Sequence, residues 1–204
     1  AAEQGSSNPG AWRIYHVTST DGIGWSAPKL ALVPTTGSAW DSLAVSDPTV
    51  VKRPDGGGFY MWYTGTANFT GAQPAIGLAS SPDGIVWTRE GAAALLAPQV
   101  GTSDLANEDP AVLWDKSLGL YRMWYTHRAF GQTPTINYAV STDGKSWVRW
   151  PKGAALSTGI PGSFDARGVR SPTVMLRENH VRLWYTGVDT NSQLQLGYVE
   201  NRGS

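Results

Sequence analysis

Cysteine is absent from this sequence of 204 residues, which excludes disulfide bonds and thiolate chemistry. Charge is also scarce: 16 basic residues balance 16 acidic ones, so the excess of basic charge typical of nucleic-acid-binding surfaces is missing. No cluster of lysine and arginine indicates an anionic membrane partner. Apolar runs stay well short of the roughly 20 residues that a membrane span needs. The composition therefore predicts neither a nucleic-acid partner nor a membrane partner.

Aromatic residues and glycine are what the sequence has in quantity. Ten tryptophans, eight tyrosines and 24 glycines in a chain of low charge favour β-structure with many turns. The polar start "AAEQGSSNPG" fits either a terminus left after signal-peptide cleavage or an artificial boundary. From the first alternative we expect an extracellular or periplasmic location.

Three phrases recur in a fixed order along the chain. Pro-x-Val begins at Pro48, Pro110 and Pro172, and Trp-Tyr-Thr begins at Trp62, Trp124 and Trp184. Ser-x-Asp-Gly-x-x-Trp begins at Ser19, Ser81 and Ser141. Like phrases lie 60 or 62 residues apart, and self-similarity at a fixed period is the mark of a repeat architecture.

One period is predicted to form four antiparallel strands. "DPTVVKR" is the first, with its proline at the start of the strand, where a missing N–H does least harm. "FYMWYTGTA", "AIGLASS" and "IVWTRE" are the other three, and the Asp-Gly pair before the last one is a strong hairpin signal. Four-stranded antiparallel sheets repeated radially make an all-β fold, the β-propeller.

The chain is predicted to be a single β-propeller domain over 1–204, with a little more than three blades. A partial blade of two strands at 12–35 precedes full blades at about 47–104 and 109–165, and a partial blade follows at 172–200. Propellers have about four to eight blades, so an open arc would expose strand edges and apolar sheet faces. We expect a homo-oligomer, with a dimer favoured; a truncated five-bladed propeller is the alternative.

Most residues of the repeated phrases have a structural interpretation. The tryptophans of Trp-Tyr-Thr are expected to pack between blades rather than to stack on a ligand. The serine and aspartate of each Ser-x-Asp-Gly phrase are expected to brace the turn by bonding nearby backbone.

The phrases "SDPTV", "EDPAV" and "RSPTV", with "YRMWYTH" and "IGLASSPDGIVWT", resemble the five-bladed propeller superfamily of arabinanases, β-xylosidases, levansucrases and invertases, glycosidase families 43, 32 and 68. The resemblance extends from Trp12 to Asn201. It implies an active site at one end of the central channel, where strands of different blades deliver carboxylates. Glycoside cleavage needs such groups, because one acid protonates the leaving oxygen and one carboxylate serves as nucleophile or base.

By motif position, the resemblance implies catalytic roles for Asp47 and Asp109. Glu108 is expected to point away from Asp109, because side chains alternate along a strand. The third blade departs from the pattern, with Arg170 and Ser171 where the others have Ser-Asp or Glu-Asp. The general-acid glutamate of the family has no counterpart among these phrases.

Further candidates come from outside the Asp-Pro positions. Asp41, Asp104 and Asp165 form a second set, six or seven residues before each proline; a structural role is favoured, and a ring of carboxylates at the channel mouth is the alternative. His127 and Arg128 replace the Gly-Thr and Gly-Val of the other blades, either as surface residues or as substrate-binding residues. The candidate substrate-binding set is therefore His127, Arg128, Arg170 and Asp165. No spacing of ligands predicts a metal, and no cofactor is expected.

Two functional hypotheses follow. The first is a glycoside hydrolase-like enzyme acting on arabinose-, xylose- or fructose-containing glycans. The second is a non-catalytic carbohydrate-binding or self-assembling propeller module, favoured by Ser171 and by the missing acid. Carbohydrate is the expected partner in both.

Overall fold

The computed structural model describes residues 2–4, 12–37, 39–67, 73–178 and 180–201. In this part of the chain there are fourteen strands and no helix, and the strands form four antiparallel sheets. The predicted all-β propeller architecture is confirmed. No helix in the described ranges could cross a membrane.

We call the four sheets blades I to IV in chain order. Blade I contains β1 (Ala2–Gln4), β2 (Trp12–His16) and β3 (Lys29–Leu32). Blade II contains β4 (Ala44–Lys52), β5 (Phe59–Thr66), β6 (Ala75–Ser81) and β7 (Thr88–Arg89). Blade III contains β8 (Asp104–Asp115), β9 (Leu120–Ala129), β10 (Thr135–Ser141) and β11 (Val148–Arg149). Blade IV contains β12 (Gly168–Arg177), β13 (His180–Val188) and β14 (Leu194–Glu200).

Blade I has three strands where the sequence pattern predicts two. The additional strand, β1, pairs with β2 in a register that places Ala2 opposite Ile14 and Gln4 opposite Trp12. Its residues, Ala-Glu-Gln, include none of the β-branched or aromatic types that mark strands. The neighbouring strand supplies the ladder, and this pairing has no local signature in the sequence.

The Ser-x-Asp-Gly turns are braced as predicted. In blade II the hydroxyl oxygen of Ser81 accepts the backbone N–H of Gly84 at 2.8 Å, and Asp83 Oδ1 accepts the N–H of Ile85 at 2.8 Å. Gly84 has φ of 78°, a left-handed conformation in which a side chain would be strained. Blades I and III repeat these bonds through Asp21 and Asp143.

The core lies between the blades, and the repeated tryptophans show how. Trp62 is completely buried and donates its indole N–H to the carbonyl of Gly144 in blade III at 3.1 Å. Trp124 is 6% exposed and packs with Val169 and Leu183 of blade IV. Packing between blades is therefore confirmed for these two. It is wrong for Trp184, which is half-buried and pairs with Tyr198 of its own blade at a ring distance of 5.3 Å.

The Asp-Pro positions lie inside the first strand of each full repeat, and not at its start as predicted. The strand begins at Ala44 in blade II, four residues before Pro48. The ladder is interrupted by a bulge between Ser46 and Thr49, and equivalent bulges occur in β8 and β12. A proline has no N–H for the ladder, and a bulge is one of the few places where a strand accepts it.

Candidate active site

The bulges turn one side chain per blade toward a common point. Asp47, Asp109 and Ser171 occupy the bulge with φ of 49°, 53° and 51°, a left-handed conformation that is uncommon for non-glycine residues. These three residues, with the prolines that follow them, line one cavity of about 210 Å³. Asp47 and Asp109 converge on this cavity because the radial arrangement of the blades brings equivalent positions together, as the repeat predicts.

Asp109 is held by hydroxyl groups. Its Oδ2 accepts hydrogen bonds from Thr126 Oγ1 at 2.9 Å and from Ser171 Oγ at 3.0 Å. Its backbone N–H donates to Thr64 Oγ1 of blade II at 2.9 Å. The threonine of Trp-Tyr-Thr thus ties each blade to the bulge of the next, and Thr126 repeats this bond with the N–H of Ser171. The carboxylate of Asp109 is consequently fixed in position.

Asp47 is exposed to the solvent of the cavity. Its Oδ2 accepts a hydrogen bond from Ser46 Oγ at 2.6 Å. The surrounding protein raises the pKa of Asp47 by partial desolvation; the Ser46 hydrogen bond opposes this rise, and the negative charge of Asp109 adds to it. Two neighbouring carboxylates with unequal surroundings can divide the tasks of holding and accepting a proton.

Glu108 is a third carboxylate close to this pair. Burial raises its pKa, the guanidinium of Arg128 opposes the rise, and the charges of Asp109 and Asp47 add to it. Strand alternation predicts that Glu108 points away from Asp109, and Glu108 is not among the residues that line the cavity. Its charge is nevertheless coupled to both aspartates. The guanidinium of Arg128 donates two hydrogen bonds to Glu108, from Nε to Oε1 at 2.7 Å and from Nη2 to Oε2 at 3.1 Å.

The other candidate residues occupy three different places. Arg128 is linked to Asp47 and Asp109 only indirectly, because it binds Glu108. Arg170 directly precedes Ser171 and occupies the position in blade IV that Glu108 has in blade III. His127 belongs to a separate cluster, with its Nδ1 3.0 Å from Asn107 Oδ1. Asp165 is 7% exposed and accepts a hydrogen bond from the hydroxyl of Tyr185 at 2.8 Å.

Hydrogen bonding in the second aspartate set supports its structural interpretation. Asp41 is 1% exposed and accepts bonds from the hydroxyl of Tyr63 at 3.0 Å and from Arg89 Nε at 2.8 Å. Asp104 accepts the N–H of Gln99 at 3.1 Å within the loop that leads into β8. None of the three aspartates lines the cavity of Asp47 and Asp109. In each of the three, Oδ2 accepts a hydrogen bond from a group of a loop or of a Trp-Tyr-Thr strand.

The radial antiparallel sheets define the protein as a β-propeller, with an aspartate at the bulge of blades II and III. Residues 4–159 match the family described as "Glycosyl hydrolases family 32 N-terminal domain". The chain belongs to that family, and the predicted superfamily is confirmed. A comparison with curated proteins found no match.

Solved structures with the same fold are similar over most of this chain. One titled "Glycoside hydrolase" shares 21% identity with a TM-score of 0.71, over 88% of this chain and 53% of its own. A family 32 β-fructofuranosidase from Bombyx mori shares 16% sequence identity with a TM-score of 0.70, and the match covers 93% of this chain and 39% of that enzyme. A thermostable family-43 glycoside hydrolase shares 18% sequence identity with a TM-score of 0.72, and the match covers 100% of this chain and 67% of that enzyme. The chain thus spans about half the length of the first of these.

Proposed function

We propose that this protein acts on glycans as a glycoside hydrolase-like propeller, with Asp47 and Asp109 as its catalytic carboxylates. The observation that carries the proposal is their placement on the bulges of adjacent blades, around one cavity. Membership of family 32 and the similarity to a β-fructofuranosidase make fructose-containing glycans the first substrates to test. Arabinose- and xylose-containing glycans follow.

The roles we assign differ because the surroundings differ. Asp47 faces the solvent of the cavity and serves as base or nucleophile. Asp109, fixed by Thr126 and Ser171, orients the sugar and tunes the pKa of its neighbour. Glu108 and Arg128 add a charged pair beside them, and Arg170 contributes a further cation for sugar hydroxyl groups.

A second candidate function is a non-catalytic carbohydrate-binding or self-assembling module. Ser171 is the observation that favours it, because its hydroxyl stands where the repeat has a carboxylate in the other two blades. Such a module would bind a glycan and release no product.

The deciding experiment uses the purified chain with sucrose, inulin, arabinan, xylan and aryl glycosides, and measures the release of reducing sugar. We expect release from at least one of them, and its loss in Asp47→Asn with an unchanged far-ultraviolet circular dichroism spectrum. Asp55→Asn, at an exposed turn, is the matched control and should keep full activity. Full activity in Asp47→Asn refutes its role, and binding of a glycan without product from the native chain favours the second function.

We further propose a homodimer and an extracellular or periplasmic location. The support for the dimer is an apolar face on blade IV, where Leu194 and Leu196 are 58% and 77% exposed. The support for the location is the substrate class, since polymeric glycans are met outside the cytoplasm.

A further inference from the structure

In two of the blades, an aromatic ring from the loop before the first strand stacks on a tyrosine of an inner strand, and we call this loop residue the aromatic plug. In blade II, Trp40 stacks on Tyr63 with ring centroids 5.7 Å apart and planes inclined by 25°. In blade IV, Phe164 stacks on Tyr185 at 6.0 Å and 30°. Each plug is the residue immediately before a buried aspartate, and each tyrosine belongs to the Trp-Tyr-Thr phrase. The plug is therefore a feature of the repeat.

Glycines on the neighbouring strands make room for the plug. A Cβ added to Gly77 would lie 2.6 Å from the Trp40 indole, and one added to Gly187 would lie 2.7 Å from the Phe164 ring. Gly65, the blade II counterpart of Gly187, also lies directly against Trp40. Side chains at these positions are incompatible with the plug.

Blade III differs from both at all of these positions. Ser103 stands before Asp104, where the other blades have tryptophan or phenylalanine. His127 follows Trp-Tyr-Thr where the others have glycine. Asn137 lies opposite Tyr125 in the strand register, as Gly77 lies opposite Tyr63. The loss of the plug and the gain of two polar side chains thus occur together in one blade.

A cavity of about 250 Å³ lies at this place in blade III. It is lined by polar side chains around a tyrosine, among them Gln99, Asp104, Tyr125, His127, Asn137 and Arg149. None of the residues that line it also lines the cavity of Asp47 and Asp109. We call it the blade III pocket.

The charges of the blade III pocket balance one another. Asp104 lies 3.5 Å from His127 Nε2 and 3.8 Å from Arg149 Nη1. Burial lowers the pKa of His127; the charge of Asp104 opposes this, and that of Arg149 adds to it. A lowered pKa leaves the imidazole neutral at pH 7, so one carboxylate faces one guanidinium. The pocket offers hydrogen-bond donors and acceptors with little net charge.

We propose that the blade III pocket binds a small uncharged polyhydroxylated molecule, such as a single sugar residue. A sugar matches a mixture of carboxylate, guanidinium and amide groups, because each of its hydroxyl groups both donates and accepts. An ion would leave an uncompensated charge beside the balanced pair. The volume is slightly below the roughly 300–1,000 Å³ of pockets for larger ligands, which suits one residue of a glycan. This site is independent of the proposed roles of Asp47 and Asp109.

The test is an NMR titration in which the signals of the His127 ring of the isotope-labelled chain are recorded as a ligand is added. The ligands are the neutral methyl glycosides of fructose, arabinose, xylose, glucose and galactose. We expect at least one glycoside to shift these signals in a saturable manner. The triple variant S103W/H127G/N137G rebuilds the blade II plug and closes the pocket. Because this variant lacks His127, its probe is the side-chain amide of Asn107, which lies 3.0 Å from His127 in the native chain and is present in both proteins. We expect the glycosides to cause no saturable shift of the Asn107 signals in the variant. Asp47→Asn is the matched control and should keep the response.

Three results would overturn the proposal: no response of His127 or Asn107 to any of these glycosides, a response that persists in the triple variant, or a response to inorganic phosphate alone. If the triple variant does not fold, Asn137→Leu takes its place, because it removes the amide and nearly keeps the volume. That variant should bind the glycoside about tenfold more weakly, since a hydrogen-bonding partner is lost. Unchanged affinity in Asn137→Leu also contradicts the proposal.

Discussion

Ser171 of blade IV donates a hydrogen bond to Oδ2 of Asp109 in blade III, across 3.0 Å and 62 residues of sequence. The repeat places a carboxylate at this bulge in blades II and III and a hydroxyl group in blade IV. A third carboxylate here would face two others at short range, which costs free energy and raises pKa values. The serine removes that repulsion and adds a donor.

Replacement of Ser171 by aspartate tests this relationship. We expect Ser171→Asp to raise the carboxyl pKa values of the cluster, because a third negative charge disfavours ionisation of the others. Carbon-detected NMR titration of the aspartate carboxyl groups measures the change. Ser171→Ala is the control: it should lose about 1 kcal/mol of stability with the hydrogen bond. Unaltered titration curves in Ser171→Asp would contradict the account.

The raised pKa of Asp47 predicts a pH-dependent gain in stability when its charge is removed. Because the folded-state pKa lies above the unfolded one, the loss of stability begins as the pH rises through the unfolded pKa and is complete above the folded pKa. Asp47→Asn should therefore raise the melting temperature at pH 7 and have little effect at pH 3, where the native carboxyl is protonated. Thermal unfolding at the two pH values measures this. An equal shift at both would show that ionisation is not the cause.

Trp62 and Trp184 form a matched pair in the repeat with different surroundings. Trp62 is completely buried between blades, so Trp62→Ala should cost about 3–5 kcal/mol of unfolding free energy. Trp184 is half-buried, so Trp184→Ala should cost less, about 1–2 kcal/mol. Urea unfolding of both variants gives the comparison. Equal losses would mean that Trp184 is covered in solution by something beyond its own blade.

The Asp143 turn should contribute stability that is lost in acid. Partial burial favours the neutral form, but hydrogen bonds from the backbone of Ser146 and Lys145 and from the Ser141 hydroxyl outweigh it and lower the pKa of Asp143 to about 2. The stabilisation is therefore complete above the unfolded pKa of about 3.9 and disappears as the pH falls toward 2.

Removal of the carboxylate gives the corresponding measurement. We expect Asp143→Ala to lower the free energy of unfolding by about 1 kcal/mol at pH 7 and by less at pH 2. Denaturant unfolding at both pH values is the assay. Glu178→Gln, which removes a negative charge from a side chain that is 81% exposed, is the control for a general effect of charge. A difference that does not shrink in acid would contradict the assignment.

The mass in solution tests the proposed dimer. We expect light scattering to report twice the chain mass of 21.9 kDa. The variant Leu196→Glu, on the exposed face of blade IV, should shift the protein toward monomer, because a charge on an apolar interface is costly to bury. A native chain that stays monomeric at every concentration would refute the dimer.

The sequence by itself was sufficient for the repeat, the blade architecture and the turns. Four-stranded blades follow from the period of 60 or 62 residues and from the hairpin signals, because these depend only on neighbours in the chain. The resemblance of their Asp-Pro phrases to the glycosidase superfamily singled out Asp47 and Asp109. Their convergence is expected because equivalent positions in a radial repeat face one axis.

Only the tertiary structure decided which residues share a site. No local sequence pattern marks three of the contacts that matter: the bond between Ser171 and Asp109, the salt bridge between Glu108 and Arg128, and the pairing of β1 with β2. The exchange of an aromatic plug for His127 and Asn137 is visible in the sequence once the structure has aligned the blades. Local patterns determine the strands and turns, whereas the chemistry of a site depends on packing between them, and that packing is a property of the whole fold.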